Sequence, residues 1–156
     1  MNKIDFDPNY NGDLYSTELP YAVNFTNNGF VWLDNLKKLP AGTKFNNNGY
    51  VSLYYLTELT EGIEFNNKGN VYLDNLKTLP KGFKFNNKGN VNLWKLTKLP
   101  KDFKFNNEGC LYFYHLNFEE LSYEQFMNIY PKLGTDKQIE LKWLLRQFKI
   151  KRILNL

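Results

Sequence analysis

Leu39-Pro40-Ala41-Gly42-Thr43-Lys44-Phe45-Asn46-Asn47-Asn48-Gly49-Tyr50-Val51-Ser52-Leu53-Tyr54-Tyr55-Leu56-Thr57-Glu58 is one of five gapless copies of a 20-residue unit. The units open at Leu19, Leu39, Leu59, Leu79 and Leu99, with Pro next in all but one, where Thr60 stands instead. Six residues after each Leu comes Phe25, Phe45, Phe65, Phe85 or Phe105. Asn27, Asn47, Asn67, Asn87 and Asn107 follow, then Gly29, Gly49, Gly69, Gly89 and Gly109. An exact period of this length makes the repeat, rather than any single element, the unit of folding.

Within each unit apolar residues alternate twice. The first stretch is Val23/Phe25, Ile63/Phe65 or Phe83/Phe85; the second is Val31/Leu33 and its equivalents. Alternation of period two reads as a strand with one buried face. Asn-x-Gly between the two stretches reads as a turn in which Asn and Gly accept positive φ. Leu-Pro ends the second stretch, because Pro cannot donate to a strand ladder. One unit cannot bury its own apolar face, but stacked units can, Phe on Phe and Leu on Leu. The aligned Asn residues are expected to form a side-chain amide ladder down the stack.

The pattern Leu-Pro-x4-Phe-x-Asn-x-Gly-x-Val-x-Leu, over residues 19–118, resembles bacterial and phage-borne leucine-rich-repeat-like proteins. It departs from the standard leucine-rich repeat by placing Leu56 where that repeat carries Asn. The resemblance implies a mainly β fold, a right-handed parallel β-solenoid of five coils; a row of antiparallel hairpins bent at Asn-x-Gly is the alternative. It also implies a non-catalytic, protein-binding inhibitor of a host defence nuclease, of the anti-CRISPR kind.

The flanks break the period. Residues 1–18 read as a degenerate capping coil, with a strand at residues 4–7 and a turn at Asn11-Gly12. Residues 119–156 read as a two-helix cap. Ser122-x-x-Gln125 and Thr135-x-x-Gln138 each match a capping box. Phe126, Ile129 and Tyr130 mark the first helix; Ile139, Leu141, Leu144, Leu145 and Phe148 mark the second. These helices cover the last coil or, alternatively, join two copies into a homodimer.

The net charge of +4 is unevenly spread. Residues 1–78 carry six Lys and nine acidic residues, a net −3, and residues 79–108 carry seven Lys and two acidic residues, a net +5. Such asymmetry steers charged partners. One cysteine, Cys110, excludes an internal disulfide framework, and no apolar run is long enough to span a bilayer. With no apolar signal-peptide core after Met1, a cytoplasmic protein is expected.

No chemistry-bearing cluster emerges. Cys110 and the lone His115 fall five residues apart, in different columns of the repeat. Asp34 and Asp74 share a column but lie two coils apart, roughly 10 Å, too far for one ion. No metal ligands cluster and no phosphate loop is present, so no cofactor is expected. The variable columns carry more. Positions 30, 32 and 34 of each unit are expected to face outward, and eight of those fifteen residues are aromatic: Phe30, Trp32, Tyr50, Tyr54, Tyr72, Trp94, Tyr112 and Tyr114. Exposed aromatic surface marks an interface, with Tyr and Trp as anchors. Together with Lys95 and Lys98 these form the expected partner-binding set. The partner is another protein, a protein–RNA effector complex included. An RNA or single-strand binder, with bases stacked on aromatics and lysines on phosphates, is the alternative; a structural or adhesion repeat is the third.

Overall fold

The computed structural model describes residues 11–105 and 107–153. It is a parallel β-solenoid closed at one end by helices, as the repeat predicts. Sheet A contains six strands: β1 (Leu14–Tyr15), β3 (Val31–Trp32), β5 (Val51–Ser52), β7 (Val71–Tyr72), β8 (Val91–Asn92) and β9 (Leu111–Tyr112). Sheet B contains three: β2 (Asn24–Phe25), β4 (Lys44–Phe45) and β6 (Glu64–Phe65). Every pairing is parallel and, within the repeats, offset by one unit, Val31 on Val51 and Phe25 on Phe45. Stacked antiparallel hairpins are thereby excluded.

The invariant columns form the core. Phe25, Phe45 and Phe65 are fully buried and stack with centroids 5.1 Å apart and rings within 5° of parallel. Val31, Val51, Val71 and Val91 are fully buried opposite them, with Leu33, Leu53, Leu73 and Leu93 beside. Burying a Val, Leu or Phe side chain stabilises by about 1.5–3 kcal/mol, so the stacked columns supply what no single unit can.

The Asn-x-Gly corner works differently from the sequence expectation. Its glycines do not need positive φ; the glycines with positive φ are Gly42, Gly62 and Gly82, in the turn before sheet B that opens at Pro40, Thr60 and Pro80. Gly69 is required by close approach: a Cβ there would lie 2.5 Å from Tyr50 N and 2.6 Å from Gly49 C and O. Nor do the buried Asn residues form a continuous amide ladder: one long rung, Asn107 Nδ2 to Asn87 Oδ1 at 3.4 Å, is present. Asn67 Nδ2 donates to Gly49 O of the coil before (3.2 Å) and to Gly69 O (2.9 Å) and Asn70 O (3.4 Å) of its own. It is a bracket between two backbone corners, and its Oδ1 is left without a hydrogen bond. The amide ladder instead runs one column earlier, on the solvent side, from Asn86 to Asn66 to Asn46.

Both ends of the stack are covered. Strand β1 takes the place of a coil, with Leu14 beside Val31, and the Gly12 carbonyl accepts from Asn27 Nδ2. The strand expected at residues 4–7 lies outside the described residues. At the other end come α1 (Tyr123–Ile129), α2 (Thr135–Glu140) and α3 (Lys142–Ile153). Ser122 and Gln125 form the expected capping box. The second box does not form: Gly134 is the N-cap of α2, and the Gln138 amide turns back to Leu133 O at 2.6 Å. The single second helix is split at Leu141, which leaves Ile139 exposed rather than inward-facing. Phe126, Ile129, Leu133, Leu141 and Leu144 are buried against the last coil. Polar groups finish that edge: Asn128 Oδ1 accepts from Phe105 N, Gln125 Nε2 donates to Pro100 O, and Lys132 Nζ donates to Asn107 O. Without them the last coil would offer open strand groups to other chains.

Candidate partner-binding edge

The strands of sheet A are only two residues long, so positions 30, 32 and 34 do not share one flat face. Position 30 precedes the strand, position 32 lies in it, and position 34 sits in a tight turn closed by the next Leu: Leu56 N donates to Leu53 O, and Leu76 N to Leu73 O. The eight aromatics therefore divide.

Phe30, Tyr50 and Tyr72 are half-buried. The Phe30 and Tyr50 rings stack at 4.6 Å and 7°, and Tyr72 meets Tyr50 edge-on at 5.9 Å. Burial pushes the Tyr50 hydroxyl above its ordinary value, with Tyr15 and Asp13 adding to it. In the next units the same position holds Asn70 and Asn90, whose Oδ1 atoms accept from Asn90 N and Cys110 N in the following coil. Position 30 thus ties coil to coil, by ring stacking early in the stack and by amides later. Trp32, 42 % exposed, joins the early cluster through Tyr15, which the position count passed over.

Tyr54, Trp94 and Tyr114 are exposed, Tyr114 at 69 %, and occupy one column at the corner. Trp94 meets Tyr114 edge-on at 5.9 Å. They wall an open cleft of about 330 Å³ whose lining adds Asp74, Asn75, Lys95 and His115. Three of these seven residues, Asp74, Asn75 and His115, were not among the expected partner-binding set. The signal was present in the column itself, which reads Asp34, Tyr54, Asp74, Trp94, Tyr114, with Asn75, Lys95 and His115 next in the turn. Tyr112 is exposed but stands elsewhere, its ring 3.3 Å from the space beside Gly134 and therefore against the helical cap. Lys95 Nζ donates to Asn75 Oδ1 at 2.7 Å, at the cleft; Lys98 is exposed and outside its lining.

The two carboxylates of this column differ. Asp34 Oδ1 accepts from Ser52 Oγ (2.6 Å) and Tyr54 N (2.8 Å). Asp74 is 8 % exposed and accepts one side-chain bond, from Asn92 Nδ2 at 3.0 Å. Desolvation holds its carboxyl above the ordinary aspartate value, and the Asp34 charge adds to that.

Among the described residues no group of His, Cys, Asp and Glu could hold a metal ion, and no helix is long and apolar enough to cross a membrane. Cys110 is half-buried, while His115 lies at the corner against Tyr114, 5.0 Å between centroids. A second exposed apolar stripe runs along α3, through Trp143, Ile150 and Ile153. No family model, curated protein or solved structure matches this chain.

Proposed function

We propose that this chain is a non-catalytic repeat module that binds another protein through the edge formed by sheet A and its following corner. The observation that carries the reading is the row Tyr54, Trp94 and Tyr114, large aromatics left 41–69 % exposed in a molecule whose packing is supplied by other columns. Aromatic anchors beside a polar rim are what protein interfaces concentrate. An inhibitor of a defence nuclease is one member of this class. The nucleic-acid reading has less support: among the described lysines only Lys95 lines the aromatic cleft, and its Nζ is already held by Asn75 Oδ1, so stacked bases would find few phosphate partners beside them. A homodimer would use Trp143, Ile150 and Ile153 on α3; sedimentation of the chain and of Trp143→Glu decides that point.

The test replaces Trp32, Tyr54, Trp94 and Tyr114 together with Ser. Capture of a specific protein from a nuclease-treated lysate of the source cell should be lost, while Tm stays within about 3 °C, since exposed substitutions usually change stability little. Capture that vanishes on nuclease treatment of the unaltered chain favours the nucleic-acid reading. A collapse of Tm makes the row structural and removes the interface.

A further inference from the structure

The corner cleft has a polar floor that the fold itself does not explain. Asp74 is more than nine-tenths buried, yet among the described residues it forms no ion pair. Its side-chain partner is Asn92, whose Nδ2 donates to Oδ1, a backbone amide also donates to the carboxylate, and the residue lines a cleft walled by Tyr54, Trp94 and Tyr114. The equivalent Asp34 instead satisfies the turn after it, accepting from Tyr54 N; the corresponding bond from Trp94 N to Asp74 is not formed. A desolvated carboxylate without a cation is costly, and it is retained here among three aromatic rings.

We propose that this cleft receives the ammonium head of a lysine side chain, preferentially N-methylated, presented by the bound protein; the proposal rests on the reading of this edge as a protein-binding surface. Tyr54 and Trp94 lie in one column two coils apart, about 9.6 Å at a strand spacing of about 4.8 Å. A cation midway between those two backbones is about 4.8 Å from each, so rings standing over them come within the roughly 6 Å reach of a cation–π contact. A flat guanidinium stacks at about 3.5–4 Å per side and would leave the slot underfilled, whereas a tetrahedral methylated ammonium has the matching thickness. Asp74 below supplies the counter-charge, at the boundary between the acidic segment of residues 1–78 and the basic segment of residues 79–108. The chain's own nearby cation does not fill the place: Lys95 Nζ is held by Asn75 Oδ1.

The test titrates the full chain with a short peptide carrying one trimethyllysine, the same peptide with unmodified lysine, and a third with the neutral tert-butyl isostere. The Trp94 indole N–H resonance reports occupancy. Trimethyllysine should bind most tightly and the neutral isostere about tenfold more weakly, the difference a desolvated cation–π site gives. Asp74→Asn, which keeps the acceptor for Asn92, should weaken trimethyllysine binding at least about fivefold, and Trp94→Leu about tenfold. Lys95→Ala should tighten it about twofold by removing a like charge. Equal binding of the neutral isostere, or indifference to Asp74→Asn, overturns the proposal. If no peptide binds while the four-Ser variant still loses its protein partner, the cleft proposal falls and the protein-binding edge stands. If the peptide binds but that variant keeps its partner, the lysine is not the partner's and the proposal falls with the edge.

Discussion

Sheet A runs the length of the stack, and sheet B stops after three coils. Both are built from the same number of repeats, so the difference lies in what each buries. The inward column of sheet A reads Val31, Val51, Val71, Val91, Leu111, a series of nearly constant volume. The column that leads into sheet B reads Val23, Thr43, Ile63, Phe83, Phe103. Where the larger rings enter, the ladder thins to a single bridge, Phe65 to Phe85, with Asn86 N donating to Phe65 O. Lys44 N donates to Val23 O and Glu64 N to Thr43 O, but no Lys84 N bond to Ile63 O follows. The Phe stack loosens at the same place, from 5.1 Å and 5° between Phe45 and Phe65 to 6.2 Å and 61° between Phe85 and Phe105. Parallel coils tolerate drift in sequence only where the drift does not change inward volume, because interiors are packed to crystal density.

The corners feeding the two sheets give the largest test. Gly69→Ala, before sheet A, drives a methyl into the Gly49–Tyr50 backbone at about the distance of a covalent angle, and no flexible side chain can yield. A loss of about 3 kcal/mol or more is expected, on the order of 10 °C in Tm for a chain of this length. Gly62→Ala, before sheet B, meets Gly42 Cα and N at 3.2 Å with φ +75°, a milder clash in a left-handed conformation. Its cost should be about 1–2 kcal/mol, set mostly by that conformation. Thermal unfolding of both variants checks the order. Equal losses would mean that both corners are limited by backbone conformation and that close stacking is not special to sheet A.

The five coils were legible because the period is gapless, and the core columns followed from it directly. Parallel coils were the expected stacking and are observed, although stacked hairpins would bury the same Phe and Val columns; the glycine contact separates them, because Gly69 is forced only if like corner sits on like corner. Two things were not legible. The role of Asn67 was misjudged because an aligned amide column suggests a ladder, while carbonyls from two coils converging on one Nδ2 is a three-dimensional fact. The expected partner-binding residues do not form one surface. Alternation was carried past residue 32, where the strand has already ended, so the corner residues Asp74, Asn75 and His115 were left out and the coil-tying pair Phe30 and Tyr50 was included.

A smaller test repairs sheet B. Phe83→Ile restores the residue that Ile63 supplies one coil earlier, and the Lys84 amide should then bond to Ile63 O. Hydrogen exchange at Lys84 should slow by roughly tenfold or more while that at Val71, already paired in sheet A, does not change. Stability itself should move little, within about 1.5 kcal/mol, because the bond gained offsets the apolar area lost. If Lys84 exchanges as before, side-chain volume is not what ends the sheet.

The smallest test sets one carboxylate from each side of the third coil against the other. Glu64, on sheet B, is held below its ordinary value by the Lys44 ammonium 2.8 Å away and by the Asn66 amide. Its contribution is therefore present above pH 4.5 and lost as pH falls through the lower folded value. Asp74, at the corner after sheet A, is held above 3.8 by desolvation, so the folded state favours its protonated form. That contribution is fully present below pH 3.8 and lost as pH rises through the folded value. Glu64→Gln should lower Tm slightly at pH 7, with the gap closing only in acid, the modest effect of an exposed pair. Asp74→Asn should raise Tm at pH 7, with the gain vanishing as pH falls toward 3.8. Scans of both variants at several pH values should thus give differences of opposite sign that converge in acid. A lower Tm for Asp74→Asn at pH 7 would mean that the ionised carboxylate is already satisfied within the fold, and a satisfied carboxylate gives no reason for a cation to enter the cleft.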